Sequence, residues 1–383
     1  MIEKIITFSS KKRFLVFLGV IFLTVWGIWA LKNTPLDAIP DLSDTQVIVF
    51  TEWPGRSPDL VEDQITYPIT TTLLAAPKVT VVRGISMFGF SFVYVLFEDG
   101  TDIYWARSRV LEYLAGLSGK LPEGVSPTLG PDATGVGWVF EYALVDESGR
   151  YDLSELRSFQ DWYLRYWLQS VPGVAEVASV GGFVKQYQVN VDPNKLLAYN
   201  IPLKTVIDAI RKSNNDVGGR VIEWTGREYI VRGKGYIENL DDIRNIVVSV
   251  DGERGTPVLI NDIANVELGP DIRRGLAELN GKGEVVGGIV AARFGENALD
   301  VINRVKKKLE EVKDAFPEGV KLVVTYDRSE LIRKAIRTLT EKLIEESIIV
   351  SVVCIVFLWH FRSALVVIFT LPFAILFSFI PMY

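Results

Sequence analysis

Few residue types in this chain could carry chemistry. Met1, Met87 and Met382 are the only thioethers, Cys354 the only thiol and His360 the only imidazole. Thioether sulfur suits soft monovalent metals, and Met87 lies in Gly84-Ile85-Ser86-Met87-Phe88-Gly89, which reads as a loop between strands. A single methionine packs far more often than it ligates, so Met87 is only a weak metal candidate. Arg83 directly precedes that stretch and reads either as half of a surface or structural ion pair or as a charge lining a cleft. One histidine excludes a multi-histidine metal site, and one cysteine excludes an intrachain disulfide. No phosphate-cradling loop or nucleophile elbow is present, and Gly135-Val136-Gly137 lacks the third glycine and preceding strand of a dinucleotide site. With no catalytic constellation the chain reads as a non-enzyme that needs no cofactor.

The elements that must position these residues start with Phe14–Leu31, an apolar run without charge. At about 1.5 Å per helical residue it extends roughly 27 Å, close to a bilayer's hydrocarbon thickness, and predicts a first transmembrane segment over 14–31. A secretory signal core is shorter and ends at small residues, whereas Trp29-Ala30-Leu31-Lys32 follows here, so the run reads as an uncleaved anchor. Residues 1–13, with Ile2, Ile5 and Ile6 on one side, predict an interfacial helix. Lys11, Lys12 and Arg13 place that end in the cytoplasm. Ile348–Tyr383, divided by Arg362, predicts second and third spans over 340–361 and 364–383, after which the chain reads as cut short. His360 reads as an interfacial anchor. The apolar interiors of these spans hold no ionisable group, so they supply no proton relay.

Between the spans lies mixed, charged sequence. With 41 Lys and Arg against 47 Asp and Glu the net charge is −6, and the scattered basic residues exclude a nucleic-acid face. Pro77, Val79 and Val82 recur 95 positions later as Pro172, Val174 and Val177. The same shift puts Phe92, Tyr94 and Leu96 on Tyr187, Val189 and Val191. Each copy reads strand, helix, strand, strand, helix, strand, which predicts an α+β membrane protein with tandem split β-α-β (ferredoxin-like) modules. The first covers 32–134; the second covers 135–215 and 280–330, interrupted by a hairpin-rich insertion over 216–279. In that insertion Arg220–Trp224 and Glu228–Arg232 flank the turn Thr225-Gly226-Arg227. Trp162 and Trp167 are expected to pack a helix on its sheet, and Lys306-Lys307-Lys308 with Glu310-Glu311 to form a solvated helix face.

Several stretches resemble the inner-membrane pumps of the heavy-metal efflux branch of the resistance-nodulation-division superfamily. They are Asp37–Asp44, Phe97–Asp102, Tyr104–Tyr113, Gly130–Trp138, Thr325–Ser329 and Phe357–His360. The Leu42-Ser43-Asp44 ending resembles the copper/silver type. The resemblance implies porter modules N1 and N2 with a docking insertion, in an inner membrane with a large periplasmic body. It also implies a proton-driven homotrimer exporting a metal ion through a periplasmic adaptor and an outer-membrane channel. Arg83 matches an arginine at the foot of the family's periplasmic cleft. The family's metal-binding methionines and relay carboxylate belong to a C-terminal half, so no metal site is expected in this portion.

Overall fold

The computed structural model describes residues 8–9, 11–34, 37–117, 119–250, 255–273, 275–358 and 361–382. Met1, His360 and most of the expected interfacial helix lie outside the described residues. The chain forms two compact units, one of Met1–Glu147, Tyr163–Ser179 and Gly287–Tyr383, the other of Ser148–Trp162 and Val180–Val286.

In the first unit, helix α1 spans Arg13–Asn33 and ends where the Thr34 amide bonds back to the Ala30 carbonyl. Among the described residues it is the one helix long and apolar enough to cross a membrane. Strand β1 (Gln46–Glu52) follows a linker. Helix α2 (Pro58–Val61) opens with proline in its first turn, where the missing amide costs no hydrogen bond. It passes through a π-turn, Glu62–Thr66, into α3 (Tyr67–Leu74). Strands β2 (Val79–Met87) and β3 (Phe90–Phe97) form a hairpin. Helix α4 (Ile103–Ala115) is capped by the Asp102 carboxylate, and β4 (Thr128–Leu129) closes the set. The sheet order is β2-β3-β1-β4, with every pairing antiparallel. Val47, Val49, Val93 and Val95 alternate onto one face and meet Ile65, Ile69, Leu73, Ala106 and Val110 from the helices.

A second set repeats this order of elements. It comprises β5 (Trp138–Asp146), α5 (Leu153–Phe159), a π-turn (Gln160–Leu164), α6 (Arg165–Gln169) and β6 (Val174–Gly181). After an insertion the set resumes with β13 (Val286–Ala292), α11 (Ala298–Val312) and β14 (Val320–Asp327). Its sheet order, β14-β5-β13-β6, is that of the first sheet with β13 in the place of β3. The repeat therefore holds for residues 77–82 and 172–177 but not for 92–96 and 187–191.

The insertion itself begins earlier than residue 216. Strand β7 (Lys185–Val191) pairs with β12 (Ala264–Pro270) and stands outside the four-stranded sheet. Helices α7 (Pro193–Ala198) and α8 (Leu203–Ser213) follow it. Next come the ribbon β8 (Val217–Trp224) and β9 (Arg227–Gly233), α9 (Leu240–Arg244), β10 (Val247–Val250), β11 (Pro257–Leu259) and α10 (Ile260–Ile263). Ile201, Val206, Ile246, Ile260, Ile263 and Val266 give this unit its own core. The expected second module over 135–215 thus loses 185–213 to the insertion.

Helix α12 (Arg328–Leu358) follows β14 directly, and α13 (Phe361–Ser378) contains Pro372. The uncharged end of α12, Ser347–Leu358, extends about 18 Å, short of a bilayer's apolar thickness. A Cβ on Gly27 of α1 would stand 2.8 Å from Leu376 Cγ, so the missing side chain lets α1 and α13 approach closely.

Candidate functional site

β2 puts Arg83 and Met87 on the same face of the first sheet. Beyond a bulge near Val79, Val81, Arg83, Ile85 and Met87 pair with Leu96, Tyr94, Phe92 and Phe90. The even positions of β2 turn to the helices: Ser86 Oγ donates to Thr66 Oγ1 at 2.8 Å, and a Cβ on Gly84 would run into Thr66 Cγ2. Arg83 and Met87 consequently lie on the open face, beside the rings of Phe50, Phe90 and Phe92. Phe50 stacks on Phe90 at 5.6 Å and meets Phe92 at 5.0 Å. The face is apolar and aromatic, with Arg83 as its cation.

Met87 is thus the last residue of a strand rather than part of a loop, because the turn is confined to Phe88-Gly89, where Gly89 supplies φ +73°. It is 47% exposed. Four residues of antiparallel strand separate it from Arg83 by about 13 Å, so the two cannot touch one ion together. Met382 is exposed, Cys354 in α12 is half-buried, and no group of three His, Cys, Asp or Glu among the described residues could hold a metal. Arg83 is exposed and forms no ion pair among the described residues.

Trp162 does not pack on a sheet: it is 85% exposed. The π-turn Gln160–Leu164 adds a residue to one helical turn, and Leu164 and Leu168 take the buried positions instead. Trp167 is partly covered, with the Lys308 ammonium 5.6 Å from its ring centre. Of the lysine run, Lys306 is not simply solvated but is paired with Asp327.

Sequence reasoning missed polar contacts whose members, Arg293 apart, sit in the stretches that carried the resemblance. Tyr104 of α4 donates its hydroxyl to Asp132 at 3.1 Å, and Arg293 pairs with the same carboxylate at 2.9 Å. Burial first, then the bond to Asp132 and its charge, raise the Tyr104 phenol. Arg107 donates to the Gly130 carbonyl at 2.8 Å. Thr134 donates to Asp41 at 2.6 Å. Burial would raise the Asp41 carboxyl, but the bonds from Thr134 and Ser43 and the Arg328 charge outweigh it and hold it below the ordinary aspartate range. The only signal available was that charged and hydroxyl residues clustered within Asp37–Asp44, Tyr104–Tyr113 and Gly130–Trp138. These stretches tie elements together.

This arrangement of two like sheets has counterparts among known proteins. The pattern of the AcrB/AcrD/AcrF family matches residues 5–383. The chain belongs to that family. SilA of Salmonella typhimurium and CusA of Escherichia coli K12, both named as cation efflux system proteins, are each 58% identical over 383 residues. The family member described here is matched over its whole length, yet it spans only 36% of either relative. A crystal structure of a heavy metal efflux pump superposes with a TM-score of 0.89 at 35% identity, covering 99% of this chain and 38% of that one.

Proposed function

We propose that this chain is the N-terminal portion of a proton-driven exporter of Cu(I) or Ag(I), and that it does not transport alone. The observation that carries the reading is 58% identity with two cation efflux proteins along all 383 residues. The choice of metal follows the copper/silver resemblance of Leu42-Ser43-Asp44. Under this reading each four-stranded sheet with its helices is a split β-α-β porter module in the periplasm. Helix α1 is the first span, and the apolar ends of α12 and α13 belong to the second and third. The bilayer is the inner membrane, and a periplasmic adaptor, an outer-membrane channel and the remaining portion of the pump are its partners.

The ribbon β8–β9 supports a homotrimer. Every residue in both strands is exposed, including Ile222, Trp224, Tyr229 and Ile230, which gives the docking insertion an apolar arm with nothing of its own unit on it. Arg83 lines the open face of the first sheet as a cleft charge, while the transported metal's ligands belong to the absent portion. The test is copper and silver accumulation in cells lacking their own exporter. The chain alone should leave accumulation unchanged, and co-expression with the C-terminal remainder should lower it. Full efflux by the chain alone, or selective export of Zn(II) or a dye after reassembly, overturns the assignment.

A further inference from the structure

Strand β14 passes into α12 without a loop, so that Asp327 is its last strand residue and Arg328 the first helical one. Arg328 is 4% exposed, and its guanidinium reaches two segments remote in sequence. Nη1 donates to Asp37 Oδ2 at 3.2 Å, in the linker that leaves α1, and Nη2 donates to the Trp138 carbonyl at 2.8 Å, at the start of β5. Its Nε is buried with no acceptor. On the other side of the junction Asp327 is paired with Lys306 of α11 and accepts the Ser329 amide at 2.9 Å. Lys306 also donates to Ser329 Oγ at 3.2 Å. Five pieces of chain therefore meet at two consecutive residues: the exit of α1, β5, β14, α11 and α12.

Burying a guanidinium with one nitrogen unsatisfied is a poor way to gain stability, since an apolar side chain of similar volume avoids the desolvation cost. What a forked donor supplies and an apolar side chain does not is direction: two bonds in one plane fix both the linker and β5 relative to the helix start. We propose that Arg328 is a positioning residue, a lock that holds the first turn of α12 to the exit of α1, so that both membrane-side helices follow the second sheet as one piece. This deepens the transporter reading, because the motion so transmitted is the one an exporter needs. The lock itself is defined by geometry and requires no transported ion.

The test uses the full chain in lipid nanodiscs, with Cys354→Ser to free the labelling chemistry and spin labels at Leu42 in the linker and Lys334 in α12. Electron-electron distance measurement on the otherwise unsubstituted chain should give one narrow peak. Arg328→Gln and Asp37→Ala should each lose that single peak to a broad distribution at temperatures where the thermal melt is not yet under way. The double variant should be no broader than Arg328→Gln alone, since that change already removes the donor to Asp37. Asp37 is partly exposed, so Asp37→Ala keeps the test decisive if Arg328→Gln does not fold. Narrow peaks in a folded variant overturn the lock, whatever the accumulation assay says about export.

Discussion

At Gly84 one hydrogen stands where any other residue would set a carbon against Thr66 and Thr70. Below it Thr66, Ser86 and Ser91 share hydrogen bonds of 2.8 Å, so the helix cannot retreat without breaking them. Gly84→Val should destabilise the first sheet by about 1–3 kcal/mol, the usual cost of overpacking, measured by chemical unfolding in detergent. Asp327 sets a pH limit. Burial acts to raise its carboxyl, but the bonds from Lys306 and Ser329 and the Lys306 charge more than compensate and keep it below the ordinary aspartate value. A carboxyl lowered in the folded state contributes stability that is complete above its unfolded value near 3.9 and is lost as pH falls through the folded one. Unfolding midpoints should therefore hold at neutral pH and decline below about pH 4, and Asp327→Asn should flatten that decline.

Apart from helices α1, α12 and α13, the ribbon is an element whose exposed apolar side chains have no core beneath them among the described residues. Thr225 and Gly226 both take positive φ, which matches the twist of a two-residue hairpin turn, and Asp216 anchors the base through Arg232 at 2.7 Å. Trp224→Ser with Ile230→Ser should reduce the trimeric fraction seen by native mass spectrometry while leaving the circular dichroism spectrum unchanged. The two strands of this ribbon were legible from sequence, as were β1, β13 and the helix through Val301 and Val305. What sequence could not tell was partnership. Tyr187, Val189 and Val191 have the period of any half-buried strand, and period fixes which face is covered without saying which neighbour covers it. Trp162 misled for a similar reason, because helical spacing assumes 3.6 residues per turn and a π-turn breaks that count.

For the whole molecule, the family and the paired sheets were legible because their evidence is spread over the chain, whereas the buried joint at Arg328 depends on residues far apart in sequence that only folding brings together. The insertion between β6 and β13 carries one more consequence. In the second sheet β13 lies between β5 and β6, both of which leave the ribosome first. Roughly a hundred residues separate β6 from β13, and at ordinary elongation rates that is about 5–20 s of synthesis. Because β14 comes later still, β5 and β6 wait through that interval without any strand partner in their sheet. The intervening unit, with a core of its own, can fold during the wait; birth order, as much as sequence, thus schedules the closing of this protein.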